Sequence, residues 1–136
     1  MKKAKKIDYI YAVGRRRTAS ARVRLYRGKG ENTVNGLPFD KYFDSPVFNA
    51  IWIKSFKQVD VSDKYYSSAR VAGGGKKGQL DAVIHAIAKA LAKAEKDKFR
   101  SSLKKAGLLT RDARIRERRK VGTGGKARRE KQSPKR

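Results

Sequence analysis

Residues 73–78 come closer than any other segment of the sequence to a known chemical motif. They read Gly-Gly-Gly-Lys-Lys-Gly, follow a predicted strand and open a predicted helix, as the G-x-G-x-x-G loop of a dinucleotide site does. A dinucleotide site also needs a parallel strand after the helix, and residues 95–136 contain no apolar run that would form one. The segment fails as a P-loop too, because Gln79 and Leu80 stand where Lys and Ser or Thr are required. No nucleotide or other cofactor is therefore expected.

The same segment suits a simpler role as an anion site. Backbone amides at a helix N-terminus point toward a bound anion, and the helix dipole favours its negative charge. Lys76 and Lys77 add two positive charges at this place. The sequence thus predicts a loop that holds a nucleic-acid phosphate, with a flexible hinge between strand and helix as the alternative. The backbone groups predicted to take part are those of Gly73, Gly74, Gly75 and Gly78.

Catalytic and metal chemistry have little support in the remaining residues. The chain has no cysteine and one histidine, His85, which lies on the polar flank of a predicted helix and is interpreted as solvated or RNA-facing. The 12 carboxylates are scattered among cations, whereas acid–base catalysis favours a pair in apolar surroundings. Thr18 and Ser20 have no histidine base near them in the sequence. The sequence predicts no enzyme, no metal site and no small-molecule substrate.

Arginines are concentrated around a predicted turn between two strands. Arg15, Arg16 and Arg17 are consecutive, and Arg22 and Arg24 follow on one face of the second strand. Five guanidinium groups so close together would repel one another unless phosphates lay between them. Arginine also makes paired hydrogen bonds to phosphates and base edges, which lysine cannot make. This cluster is therefore predicted to bind nucleic acid.

The distribution of charge divides the chain into a body and a tail. There are 37 Lys and Arg against 12 Asp and Glu, a net charge of +25, of which residues 1–30 carry +10, residues 31–100 carry +4 and residues 101–136 carry +11. All 12 aromatic residues lie at or before Phe99, so the last part cannot build a core of its own. We expect a globular body with a basic N-terminal extension over residues 1–110 and an extended basic tail over residues 111–136.

The tail is predicted to be disordered by itself and ordered along a polyanion. From Asp112 its 25 residues could span about 80 Å at about 3.3 Å each. Ordering its backbone costs about 1–2 kcal/mol per residue, which so few apolar side chains cannot recover. Composition alone leaves open whether the polyanion is RNA or DNA. No apolar stretch is long enough to cross a membrane, and no secretory signal is visible, so a cytoplasmic protein without a membrane partner is expected.

Hydrophobic periodicity predicts an α+β fold, in which helices pack on one face of a small mixed sheet. Apolar residues in residues 79–94 recur at helical spacing, and residues 20–26 alternate between small or aliphatic side chains and arginines. A helix starting at Ser45 and Pro46 should continue to about Phe56, and a last helix should end at Gly107. Strands are predicted at residues 7–13, 20–26, 33–35, 59–61 and 65–72, and the last helix at residues 97–106.

Short motifs, in order along almost the whole chain, resemble the bacterial form of the ninth protein of the small ribosomal subunit. The most specific is Leu109-Thr110-Arg111-Asp112-Ala113-Arg114. The other motifs that carry the resemblance are residues 14–18, 21–23, 34–36, 42–43, 73–75 with 78–79, 87–91, 103–107, 117–120, 126–129 and 135–136.

The resemblance implies a two-layer sandwich of the ribosomal-protein "domain 2-like" type with a long tail. It implies that the body binds 16S-type ribosomal RNA in the head of the 30S subunit beside neighbouring head proteins. The tail would thread toward the decoding region, where Lys135 and Arg136 would contact the anticodon stem-loop of the P-site tRNA. Residues 131–134, Lys-Gln-Ser-Pro, depart from the Pro-Gln-aromatic-Ser of bacterial relatives, so this chain has no aromatic side chain just before the tip.

Two functions from different classes follow, a structural ribosomal protein and a nonspecific nucleoid-type DNA-binding protein with the same charge. The motifs favour the first and a bacterial cytoplasm, although a plastid-encoded copy would carry the same motifs. The basic side chains predicted to bind ribosomal RNA are Arg15, Arg16, Arg17, Arg22, Arg24, Lys76, Lys77, Arg111, Arg114, Arg118, Arg119, Lys120, Lys126, Arg128 and Arg129.

Overall fold

A computed structural model describes residues 8–122 of the chain. Five strands and five helices alternate irregularly along these residues, as an α+β fold requires. The elements are β1 Ile10–Arg16, β2 Ala19–Arg27, β3 Thr33–Val34, β4 Leu37–Pro38, α1 Phe39–Tyr42, α2 Pro46–Trp52, α3 Lys54–Gln58, β5 Tyr65–Ala72, α4 Lys76–Ala94 and α5 Lys96–Lys105.

The strands form one mixed sheet in the order β1-β2-β5-β3-β4. Antiparallel pairing joins β1 to β2, β2 to β5 and β3 to β4, whereas β3 runs parallel to β5. On β2 the side chains of Ala21, Val23 and Leu25 are fully buried, while Arg22 and Arg24 are exposed. The alternation read from the sequence is thus confirmed on this strand.

Helix α4 lies across β1 and β2 and supplies most of the core on the covered side of the sheet. Its buried positions include Leu80, Val83, Ile87 and Leu91 at helical spacing. Gly14 of β1 lets the helix approach closely, because a Cβ there would lie 2.0 Å from the carbonyl oxygen of Ala82. The predicted two-layer sandwich is confirmed.

The short helices α1 to α3 close one end of this core with aromatic rings. The ring of Phe39 stacks on Trp52 with centroids 4.2 Å apart, and Phe56 meets the same indole edge-on at 6.1 Å. The buried hydroxyl of Ser55 is satisfied by donating to the main-chain oxygen of Ile84 at 3.4 Å. The helical segments therefore pack against α4 through apolar rings, with the one buried hydroxyl paired.

Two element predictions were wrong, and each has a physical reason. Residues 59–61 form no strand: Val59 and Val61 pack against the core after the end of α3, and the amide of Val61 donates to the main-chain oxygen of Phe56 at 3.1 Å. The helix predicted from Ser45 to Phe56 is two helices separated at Ile53. Both errors arise where local packing outweighs periodicity.

Several boundaries also differ from those predicted. β1 extends to Arg16 because β2 continues to pair with it as far as Ala19, and Ile7 lies outside the described residues. Helix α4 begins three residues before Gln79, so Lys76 belongs to its first turn. Within residues 8–122 no strand follows α4.

Candidate nucleic-acid interface

The turn between β1 and β2, residues 15–18 (the arginine turn), presents two of its three arginines to solvent. Arg15 and Arg17 are exposed, and Arg17 has a left-handed backbone conformation with φ of 55°. This conformation helps a two-residue connection to close the hairpin between Arg16 and Ala19. The sequence treated the three arginines as equivalent, whereas the fold turns Arg16 inward.

The Arg16 side chain is only 11% exposed and connects three parts of the chain. Its Nη1 lies 2.7 Å from Oδ1 of Asp112, and its Nε lies 3.7 Å from Oδ2 of Asp81. Nη1 also donates to the main-chain oxygens of Asp112 and Arg114, both at 3.2 Å. Nη1 carries two N–H groups, so its three oxygen partners share these donors. Arg16 therefore joins β1 to α4 and to the chain that leads into the tail.

The glycine loop, residues 73–75, packs directly against the arginine turn. Gly73 and Gly74 have φ of 74° and 61°, and a Cβ on Gly73 would lie 2.5 Å from the main-chain oxygen of Thr18. Gly75 is the N-cap of α4, where no side chain caps the helix and the first turn carries no acidic residue. The first amides of α4 lack intrahelical acceptors and lie next to exposed cations.

The first turn of α4 contains Lys76, Lys77 and Gly78, so Gly78 lies in the helix and not in the loop. The ammonium group of Lys76 donates to the main-chain oxygen of Tyr42 and lies 4.6 Å from the centre of its ring. Lys77 lies 3.4 Å from Oδ1 of Asp81, and its side chain is 62% exposed. Both predicted lysines are therefore exposed, and each has a polar partner within the described residues.

Residues 107–114, the tail root, run back along α4 to the arginine turn. Gly107, with φ of 74°, follows the end of α5, and Leu108 and Leu109 pack against the core. This packing brings the specific Leu-Thr-Arg-Asp-Ala-Arg motif to the same end of the sheet as the glycine loop. The sequence could not show this proximity, because 96 residues separate Arg16 from Asp112.

An ion pair within the tail root sets the charge state of Asp112. Arg114 donates from Nε to Oδ1 of Asp112 at 2.9 Å and from Nη2 to Oδ2 at 2.7 Å. These hydrogen bonds, with the nearby charge of Arg16, hold the pKa of the Asp112 carboxyl well below its ordinary value. The carboxylate stays ionised and available to Arg16.

The arginine turn, the first turn of α4 and the tail root together enclose a cleft of about 400 Å³. Asp81 and Asp112 lie in it, and Arg16 pairs with both. The cations outnumber the carboxylates around this cleft, so its rim attracts phosphate. The charged side chains that line it are Arg15, Arg16, Lys77, Asp81, Asp112 and Arg114.

His85 is not the solvated side chain that the sequence indicated. It is half-buried beneath the tail root, and its Nε2 donates to the main-chain oxygen of Leu109 at 3.2 Å, while its buried Nδ1 has no hydrogen-bond partner within residues 8–122. Burial, with smaller contributions from Lys89 and Arg111, lowers the pKa of this imidazole. His85 is therefore a neutral packing residue at neutral pH.

A second group of arginines lies on the sheet face opposite α4. Arg22 and Arg24 are exposed there, and the register places Arg70 of β5 directly opposite Arg22. Arg70 is absent from the predicted set. Every second residue of Tyr65–Ala72 is buried, starting at Tyr65, and this alternation in the sequence could have identified Arg70 as exposed.

The other predicted basic residues fall into two groups. Arg111, Arg118, Arg119 and Lys120 are exposed on residues 111–120, a segment without helix or strand. The contacts proposed for them with RNA stay predictions. The remaining predicted residues, which lie outside the described part of the chain, are Lys126, Arg128, Arg129, Lys135 and Arg136.

Residues 8–122 contain no cluster of three or more His, Asp or Glu side chains arranged to hold a metal ion. No helix in this range has the length and apolar character to span a bilayer.

Comparison with known proteins places the chain in a family. A family model described as ribosomal protein S9/S16 matches residues 14–136. The chain belongs to the ribosomal protein S9/S16 family. This membership confirms the resemblance that the motifs carried, and it identifies a ribosomal protein of structural type, not an enzyme.

Individual relatives agree with the family model. Small ribosomal subunit protein uS9 of Leifsonia xyli is 48% identical over 111 residues, 82% of this chain and 66% of that protein. The uS9 proteins of Maridesulfovibrio salexigens and Lawsonia intracellularis are 45% and 44% identical over 87% and 85% of this chain, and 90% and 88% of their own lengths. The similarity to this S9/S16 family therefore extends over both the body and the segment that follows it.

Proposed function

We propose that this protein is a structural constituent of the small ribosomal subunit, where its body binds 16S-type ribosomal RNA in the head beside neighbouring proteins. The observation that carries this proposal is the meeting of the arginine turn, the first turn of α4 and the tail root at one end of the sheet. Membership of the S9/S16 family and the net charge of +25 support RNA as the polyanion. The proposed location is the cytoplasmic ribosome.

The exposed cations at this end make the proposed phosphate contacts. Arg15, Arg17 and Lys77 border the cleft or the turn and are exposed to solvent, and Lys77 also pairs with Asp81. Arg111 is exposed on the tail root, on the same side as Lys89. Arg16 has a different role, because its guanidinium is already bound to Asp112. It positions the tail root, and its neighbours contact the RNA.

The tail is proposed to continue from the tail root toward the decoding region. Residues 113–120 are all exposed and include Arg114, Arg116, Arg118, Arg119 and Lys120. A segment with so many cations and so few apolar side chains binds by following phosphates. Its last two residues, Lys135 and Arg136, would contact the anticodon stem-loop of the P-site tRNA.

Deleting Lys135 and Arg136 tests the role of the tip. We expect small subunits carrying the shortened protein to assemble normally and to bind P-site tRNA more weakly, because two charges next to the tRNA are removed. Filter binding of tRNA to purified subunits measures the change. The matched control replaces two exposed body lysines, Lys57→Gln and Lys64→Gln, which removes the same charge elsewhere. Unchanged tRNA affinity after the deletion would remove the tRNA role.

Sucrose-gradient sedimentation of a cell lysate at high salt tests the wider proposal. A small-subunit protein co-migrates with those subunits under conditions that strip loosely bound basic proteins. Fractionation with chromosomal DNA would instead support the nucleoid-type function.

A further inference from the structure

The face of the sheet turned away from α4 is uncovered in the described structure and has an unusual composition. Exposed or half-exposed side chains on β1, β2 and β5 alternate with the buried ones, and these three strands contain no Asp or Glu. We call this surface the open face. It consists of Tyr11, Val13 and Arg15 of β1, Ser20, Arg22, Arg24 and Tyr26 of β2, and Tyr66, Ser68, Arg70 and Ala72 of β5, with Tyr9 at its rim.

The positions of two arginines on the open face lower the stability of the free protein. Arg22 and Arg70 lie directly opposite each other on antiparallel strands. Like charges at such a pair destabilise a sheet. Within residues 8–122 neither guanidinium has a carboxylate partner, and Arg24 lies one cross-strand pair away. This arrangement suits a surface that meets an anion in its working state.

Tyrosines form a continuous strip at the end of the open face away from the arginine turn. Tyr26 stacks on Tyr66 with centroids 5.1 Å apart and planes 17° apart, and Tyr9 lies 5.9 Å from Tyr26. The guanidinium of Arg24 lies 5.0 Å from the centre of the Tyr9 ring. A Cβ on Gly30 would lie 2.8 Å from the Tyr66 ring, so glycine at this position leaves the ring in place.

Tyr11 completes the surface. It is 45% exposed, Tyr9 is 43% exposed, and the register places Tyr11 opposite Arg24. An aromatic ring and a guanidinium side by side offer a base a stacking surface and a phosphate contact at once.

We propose that the open face binds an unpaired segment of ribosomal RNA, whose bases stack on the exposed rings of Tyr9 and Tyr11 and whose phosphates contact Arg22, Arg24 and Arg70. Charge complementarity identifies the partner as a polyanion. The rings favour unpaired RNA, because the bases of a duplex are hidden between their neighbours and A-form RNA is bound through its backbone and shallow groove. This surface adjoins the cleft by the arginine turn, because Arg15 borders both, and the proposed RNA contacts continue from one to the other.

The inference about the open face rests on the proposed function, because both name RNA as the partner. The experiment that tests the open face needs no ribosome. Fluorescence anisotropy with the full-length protein compares a labelled oligouridine with a blunt RNA duplex of equal length across a salt series. We expect Tyr11→Ala to weaken oligouridine binding about tenfold and to leave the salt slope and the duplex affinity unchanged. Stacking contributes little to the salt slope, whereas the basic tail dominates it.

The double variant Arg22→Gln, Arg70→Gln separates charge from stacking. It should reduce the salt slope for oligouridine by about 0.7 for each phosphate that the protein no longer neutralises. It should also raise the melting temperature of the free protein, because the opposed charges are gone. Val47→Ala and Lys57→Gln, exposed positions on the helical side, are the matched controls for the aromatic and the charge substitutions.

Three results would overturn the inference. The first is an unchanged affinity of Tyr11→Ala for oligouridine. The second is an equal loss of affinity of Tyr11→Ala for oligouridine and for the duplex. The third is a loss of oligouridine affinity in Val47→Ala as large as that in Tyr11→Ala. Co-migration with small subunits is measured separately, so failure here would leave the proposed function standing.

Discussion

The imidazole of His85 shows how a neighbour in space decides the state of one side chain. On its helix it lies on the polar flank, but the tail root covers it and supplies the main-chain oxygen of Leu109 as acceptor. Its other ring nitrogen is buried without a partner within the described residues. Protonation would place a charge in a poorly hydrated site next to Lys89 and Arg111, which is why the pKa of His85 is lowered.

We predict that His85 makes the free protein less stable as the pH falls from 7 to 5. Its pKa is lower in the folded than in the unfolded chain, so below about pH 6.5 the unfolded chain binds more protons and stability decreases. The carboxyl of Asp112 contributes only at more acidic pH, because its pKa is depressed. Chemical denaturation of wild type and His85→Gln at several pH values measures this, and equal slopes in both proteins would refute the prediction.

At the scale of elements, the contact between α4 and β1 depends on the absence of one side chain. Gly14 lies under the helix, where a Cβ would come within 2.6 Å of the amide nitrogen of Ala86 as well as close to Ala82. Lys89 and Lys93 reach over the strand from the same helix and donate to the main-chain oxygens of Val13 and Tyr11 at 2.9 and 3.0 Å. These lysines occupy acceptors on an edge strand that could otherwise pair with another chain.

We predict that Gly14→Ala lowers the free energy of unfolding by about 3 kcal/mol or more, the upper end of the usual loss when atoms are added to a packed core. The loss is large because the backbone atoms of α4 cannot move aside as a side chain can. Urea denaturation followed by circular dichroism measures the change.

Gly78→Ala is the matched control for Gly14→Ala. A Cβ there meets its nearest neighbours at 3.6 and 3.7 Å, and alanine favours the first turn of α4. It should be neutral or stabilising. A similar loss of stability in both variants would show that close approach is not the cause.

In the whole molecule, Arg16 fixes the place from which the tail leaves the body. The ion pairs to Asp81 and Asp112 join β1, α4 and the tail root at the end of the sheet that carries the glycine loop. Among residues 8–122 the tail root is also held by the packing of Leu108 and Leu109, by the hydrogen bond from His85 and by the amide of Leu108, which donates to the main-chain oxygen of Leu103 at 3.1 Å. The proposed path of the tail therefore starts from a defined point on the body.

We predict that Arg16→Gln loosens the tail root with a modest loss of overall stability, about 1.5–3 kcal/mol, the range for hydrogen bonds to a charged group. Amide hydrogen exchange of the free protein should become faster over residues 108–114 and stay unchanged in β2 and β5. Arg17→Gln is the control, because Arg17 is exposed and lies outside these ion pairs. Unchanged exchange in the tail root would contradict the role assigned to Arg16.

Much of the body could be predicted because its signals are local. Alternation in β2 and the apolar stripe of α4 each depend on a few neighbouring residues. Residues 59–61 and the break at Ile53 could not be predicted, since packing against the core outweighs periodicity at these residues.

The sequence by itself determined the class of partner, the α+β body and the family, because net charge, periodicity and short motifs can all be read without coordinates. The division of labour among the arginines was decided only by tertiary structure. Arg16 turns inward because Asp112, 96 residues away, comes to lie beside it, and Arg70 joins Arg22 because β5 pairs with β2. Contacts between residues far apart in the chain depend on how elements pack, and no local pattern records them.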